Sequence, residues 1–158
     1  MHILEQKILK LITPISPKNP YGTDLRLNSD NLIFYYKIKN ARRKARDIER
    51  YNLSHEDQKN PHPTWKLVIE LIETCFNNRC KDFELACWLC EAWTREYNIE
   101  GLYHGIKLIH DILKNFTFNI HPIDEETQKT SLQSFTNLNG NDQPGMSKQE
   151  MEKSVIDG

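Results

Sequence analysis

Four cysteines, Cys75, Cys80, Cys87 and Cys90, crowd into 16 residues at C-x4-C-x6-C-x2-C spacing, and they come nearest in this chain to a metal-binding pattern. Zinc takes its thiolates from tight turns rich in glycine or polar residues. Cys87 and Cys90 sit instead in FELACWLCEAW, which reads as the interior of a helix. A buried free cysteine packs as a small apolar side chain. That is the expected role here, with a metal-dependent regulator or small enzyme built on the four thiols as the alternative. A nucleophilic thiolate needs an exposed, electropositive setting, which Trp88 and Leu89 do not offer. Disulfides are not expected either. The N-terminal MHILEQKILKLI carries Glu5, Lys7 and Lys10 inside its apolar run, so it is neither a secretory signal nor a membrane span.

The other reactive residue types are scattered. His104 and His110 are six apart and lie on different helix faces, unlike the i,i+4 pair of H-E-x-x-H. Glu70 and Glu73 are helix neighbours, with nothing nearby to raise one pKa for acid–base work. There is no glycine-rich phosphate loop and no Gly-x-Ser-x-Gly. The expectation is a non-enzyme with no catalytic residue, no metal, no cofactor and no small-molecule substrate.

One charged stretch stands out. Residues 37–50, KIKNARRKARDIER, hold seven basic and two acidic residues, in a chain of 158 residues whose 21 basic and 22 acidic residues give a net charge of −1. So balanced a chain has no general attraction for nucleic acid or anionic lipid, and any charged partner must be met locally. The simplest reading of the run is a solvated helix face. An acidic protein partner is the functional reading, with Lys37, Arg42, Arg43, Lys44 and Arg46 as candidate contacts; a nucleic-acid adaptor is the weaker one, and no nucleic acid is expected. Trp88 falls off its helix's apolar face. It either meets another helix or is an exposed anchor, and it joins the candidate contacts on the second reading.

Helices must position all of these residues, because no segment shows sustained alternation. A first short helix carries Ile3, Ile8, Leu9, Leu11 and Ile12 and ends before Pro14. Ser29 or Asp30 can cap a second, running to about Tyr51 with the stripe Phe34, Ile38, Ala41, Ala45 and Ile48. The polar 52–63 reads as a loop. A third helix from Thr64 places Trp65, Val68, Ile69, Ile72, Cys75 and Phe76 on one face and ends at Asn77–Asn78. Asp82 can cap a fourth, with stripe Leu85, Ala86, Leu89, Trp93 and Tyr97, broken at Gly101. Leu102, Ile106, Ile109, Leu113 and Phe116 mark a fifth helix, and a weaker sixth is expected over 125–138. The fold class is all-α: a single-domain bundle of five to six amphipathic helices over residues 1–139, with a polar tail over 140–158.

Residues 11–30, LITPISPKNPYGTDLRLNSD, resist that scheme, being too proline-rich for a helix and too apolar for a linker. Pro14, Pro17 and Pro20 stiffen the segment, Ile15, Tyr21 and Leu25 supply apolar teeth, and Gly22 permits a turn. It is expected to lie extended as a strap across the bundle; an exposed proline-rich ligand is the alternative. This stretch resembles the opening of the ImpA-type N-terminal domain of TssA-like type VI secretion proteins, through Leu11, Pro14, Ile15, Ser16, Pro20, Gly22, Asp24 and Leu25. Tyr21 stands where that family often has cysteine. A second signature resembles the family through Pro63, Trp65, Lys81, Asp82, Phe83, Gly101, Leu102, Gly105, Ile106, Ile120, His121 and Pro122, with Cys80 and Phe83 replacing a serine and a leucine. The resemblance covers about residues 8 to 140. It implies a cytoplasmic assembly component that binds other type VI secretion proteins of the baseplate, tube or sheath. Oligomerisation in that family lies in a C-terminal region beyond this stretch, and on this resemblance the chain is expected to be an excised fragment or a short member.

Overall fold

In the computed structural model the described residues are 2–54, 64–116 and 120–121. Four helices lie among them: α1 (Ile3–Leu11), α2 (Ser29–Ser54), α3 (Thr64–Asn78) and α4 (Phe83–Phe116). No strand occurs among the described residues, only two isolated bridges, Gly22 with Cys80 and Asp82 with His121. The all-α class stands; among the described residues there are four helical elements, the last of which is two helical arms meeting at a kink at Asn98, in place of the expected fourth and fifth helices. The expected sixth helix and the polar tail lie outside the described residues. No helix is long and apolar enough to cross a membrane.

α1 opens on His2, whose Nδ1 accepts the Leu4 amide while Glu5 accepts the His2 amide, a reciprocal cap. Leu4, Ile8 and Leu11 form its buried stripe; Ile3 and Leu9, expected on that stripe, are exposed. α2 is capped one residue earlier than expected, because Asn28 Oδ1 accepts the amides of Asp30 and Asn31. Ile38, Ala41 and Ala45 are buried as the spacing requires, joined by Tyr35 and Arg46. In α3, Trp65, Val68, Ile69, Ile72, Cys75 and Phe76 are all buried. α3 packs on α2 and α4, and α1 on α3 and α4.

α4 is the centre of the bundle. Every residue from 83 to 93 is buried, so this stretch has neighbours on all sides. The chain then reverses at Asn98, which holds φ 54° and ψ −133°. Asparagine is among the few residues that tolerate a positive φ. The reversal expected at Gly101 therefore falls three residues earlier, and Gly101 has a different task. A Cβ there would lie 1.9 Å from the Trp93 carbonyl oxygen, and one on Gly105 would lie 2.4 Å from the Cys90 sulfur. The return arm, 99–116, thus lies back along 83–97 with its glycines against the outgoing backbone. Its buried face is Gly101, His104, Gly105, Leu108, Ile112 and Phe116. Ile106 and Leu113, expected in the core, face solvent.

The proline-rich segment does not run extended. The Ile15 amide donates to the Pro20 carbonyl at 2.8 Å and the Asn19 amide to Ser16 Oγ at 3.0 Å, closing a loop over 15–20. Beyond it, the Thr23 amide donates to Arg79 O and the Lys81 amide to Tyr21 O, pinning residues 21–23 on the turn after α3. Gly22 takes φ +72° there, with Arg79 O 1.9 Å from where a Cβ would stand.

At an ordinary helical site alanine is better than glycine by about 1 kcal/mol. At Gly101 and Gly105 the sign is expected to reverse, each alanine lowering stability by about 1–3 kcal/mol through overpacking. Urea unfolding should show lower midpoints at an unchanged slope; a gain in stability would mean that the two arms of α4 do not approach this closely.

Candidate functional site

Two polar assemblies carry the residues singled out in the sequence. The first gathers three stretches far apart in the chain: 21–26, 79–84 and 120–121. Lys81 and Asp82 are fully buried side by side. Lys81 Nζ donates to Leu11 O and Phe76 O, both at 2.6 Å, and so satisfies carbonyls at the ends of α1 and α3. Asp82 Oδ1 accepts the Leu85 amide at 2.9 Å and caps α4. Its other oxygen receives Arg26 Nη1 at 2.7 Å; the same guanidinium reaches Asp24 and Glu84, both at 3.0 Å, and lies over the Tyr35 ring. The Tyr35 hydroxyl donates to Glu84. His121 closes the assembly: its amide donates to Lys81 O, its carbonyl accepts from Phe83, and its Nε2 is 3.1 Å from Gly22 O.

The second assembly joins α2 to α4. Glu91, nearly fully buried, receives Arg42 Nε at 2.7 Å and Arg46 Nε at 2.6 Å. Arg42 also lies over the Trp88 ring, which stacks on Tyr35. Arg95 reaches Glu49 at 2.7 Å and covers Trp65.

These placements sort the sequence candidates. Gly22, Asp24, Asp82 and His121 converge in the first assembly; Leu25 and Trp65 are buried in the core; Gly101 and Gly105 join the arms of α4; Pro14, Ile15, Ser16 and Pro20 shape the 15–20 loop and its entry. Pro122 lies outside the described residues. Of the proposed partner contacts, Lys37, Arg43 and Lys44 are exposed. Arg42, Arg46 and Trp88 are not available in the same way. Trp88 is only 4% exposed, and the two arginines turn inward to Glu91. Arg26, Tyr35, Glu84 and Glu91 were missed. Their partners stand 45 to 58 residues away in sequence, where no local spacing reveals them.

Neither assembly is arranged for acid–base or nucleophilic chemistry. Burial lowers the Lys81 ammonium to about 8, as in reactive lysines, yet its nitrogen is enclosed and bonded to two carbonyls. The cysteines do not form a ligand set. Cys75 and Cys80 stand with sulfurs 3.7 Å apart, and all four are buried and free. Burial pushes the Cys87 and Cys90 thiols up to about 12. Among the described residues, the one grouping of three potential metal ligands is His2, Glu100 and His104. His2 Nδ1 accepts the Leu4 amide there and His104 Nδ1 faces Glu100 O at 2.8 Å, so two of its ring nitrogens already serve the helices.

Two outcomes follow from this geometry. None of the four thiols should react with Ellman's reagent at pH 8 in the folded chain, and all four should react in denaturant; one fast thiol without denaturant would contradict their burial. Glu91→Ala should cost about 3–5 kcal/mol by stranding two inward arginines, whereas Arg43→Ala should stay within about 0.5 kcal/mol. Equal effects in urea unfolding would contradict the pairing.

Comparison with known proteins places the arrangement. Residues 12–140 match the family described as ImpA, N-terminal, type VI secretion system. Among solved structures, the chain is similar to the N-terminal domain, including the conserved ImpA_N region, of the TssA component of the type VI secretion system from Burkholderia cenocepacia. The two share 27% identity at a TM-score of 0.60, over 84% of this chain and 46% of that one. This chain thus matches less than half the length of that relative. No curated protein matches it. With the match spanning most of the chain, the protein belongs to the family of ImpA-type N-terminal domains of type VI secretion systems.

Proposed function

We propose that this chain is the N-terminal interaction domain of a TssA-like type VI secretion component, acting without catalysis in the cytoplasm and docking onto baseplate, tube or sheath proteins. The observation that carries the reading is the family match over residues 12–140, supported by the similarity to the TssA domain. The chemistry of the interior agrees with it. The ionisable groups of both buried assemblies close helix ends or join α2 to α4, which leaves surfaces as the means of action.

The outer side of α2 is the favoured docking face. Lys37, Arg43 and Lys44 project there beside the exposed Ile33 and Tyr36. Cations beside an aromatic and an aliphatic side chain suit a protein surface that is acidic with apolar gaps. Withdrawal of Arg42 and Arg46 toward Glu91 removes two cations from the stripe a phosphate backbone would meet, and the nucleic-acid reading weakens accordingly.

The test is calorimetric titration of the chain with purified baseplate, tube and sheath proteins from the same source. At least one is expected to bind, and the combined Lys37→Glu, Arg43→Glu and Lys44→Glu variant should lower that affinity at least about tenfold with an unchanged melting temperature. Binding that ignores the triple reversal would remove the α2 face from the account. Absence of binding to every component would remove the docking role.

A further inference from the structure

Where α1 and α3 finish beside one another, a groove opens to solvent. Its larger part, about 390 Å³, lies between Lys10, Thr13, Asn77 and Asn78. A smaller part, about 180 Å³, lies between Lys7, Lys10, Glu73 and Asn77. The two adjoin through Lys10 and Asn77, and the larger falls within the range of ligand pockets, roughly 300–1,000 Å³. The ends of two helices would ordinarily repel an anion, because the last carbonyls carry the negative pole of the helix. Here those carbonyls are occupied. Lys81 Nζ sits beneath the groove and donates to Leu11 O and Phe76 O, while Thr13 Oγ1 and Asn78 Nδ2 donate to Leu9 O and Thr74 O. A full cation thus offsets both poles from below.

The walls add to that charge. Glu73 is the one carboxylate in the lining, and Lys7 Nζ holds both of its oxygens, at 2.7 and 2.9 Å. Lys10 is exposed, and its ammonium makes no ion pair or hydrogen bond among the described residues. Three ammonium groups, of Lys7, Lys10 and Lys81, therefore stand against one carboxylate. Asn77 is half-buried between the two parts, and its side-chain amide is likewise unspent on the fold. That amide presents a donor and an acceptor together, as a peptide group does. We propose that the groove binds an acidic peptide segment of a partner protein, with an Asp or Glu carboxylate on the Lys10 ammonium and a neighbouring peptide group paired to the Asn77 amide. A bare inorganic anion would use only half of that set. The site contains no residue of α2, so it stands apart from the docking face proposed above.

The test is titration of the isotope-labelled full chain with the capped dipeptide acetyl-Glu-Glu-amide, followed through the backbone amide NMR signals. Those of Thr13, Asn77 and Asn78 are expected to shift and to saturate in the millimolar range. The same signals should stay in place with acetyl-Gln-Gln-amide and with inorganic phosphate. Lys10→Gln should weaken binding at least about fivefold, as loss of a charged hydrogen bond does, at an unchanged melting temperature, and Lys10→Arg should retain it. If Lys10→Gln lowers the melting temperature, Asn77→Ala replaces it in the same comparison. Absence of saturation with the glutamate dipeptide would overturn the proposal. An equal response to the glutamine dipeptide would overturn it too, because charge would not matter. Phosphate binding as tightly as the glutamate dipeptide would reduce the groove to an anion site and remove the peptide. Binding that neither Lys10→Gln nor Asn77→Ala weakens would place the contact elsewhere.

Discussion

Two consecutive residues hold three helix ends together. The carbonyls at the finish of α1 and α3 both point at the Lys81 ammonium, and the first amides of α4 point at the Asp82 carboxylate. Each charge has the sign that the local helix dipole favours. Unpaired, either one would be prohibitive to bury. Paired in this way, they let three helices terminate inside the bundle with the Leu11 and Phe76 carbonyls and the Leu85 amide satisfied. The rest of the assembly follows from it. Arg26 is drawn in by Asp82 and brings the 21–26 stretch with it, and His121 locks onto the Lys81 backbone from the other side.

This arrangement accounts for the four cysteines, the buried lysine and the buried carboxylates as structural groups, in line with the docking role proposed above. Chemistry at a site needs reactive groups that reach a substrate. Here the thiols are enclosed, the lysine is bonded to main-chain carbonyls, and the arginines of α2 are divided between an inward set facing Glu91 and an outward set facing solvent. That division makes a helix with seven cations in its basic run present a modest positive face rather than a strongly basic one.

Elements with one apolar face were legible in the amino-acid sequence. The six positions read along α3 are all buried, and the cap of α4 lies at Asp82 as its type and place suggested. The return arm of α4 carries two apolar stripes, and periodicity cannot say which one meets the core: Phe116 is buried and Ile109 packs against the core, while Ile106 and Leu113 lie on the other side. Gly101 reads as a chain breaker in the sequence, since glycine more often ends helices than joins them; the close approach to Trp93 that calls for it comes from an arm folded back by Asn98. Trp88 left two options open, and its stacking on Tyr35 under Arg42 settles the matter toward burial. The polar assemblies were legible only as single motif residues. Asp24 and Asp82 could be picked out one at a time, but the guanidinium that joins them is a tertiary fact.

Lys81→Met tests the central claim most directly, because methionine keeps the apolar stem and removes the donor. With the Leu11 and Phe76 carbonyls left buried and unpaired, urea unfolding at pH 7 should show a loss of about 2–5 kcal/mol, from roughly 1–3 kcal/mol for each stranded group. A variant as stable as the parent, or more stable, would mean that the buried ammonium burdens the fold and that something else holds the helix ends together.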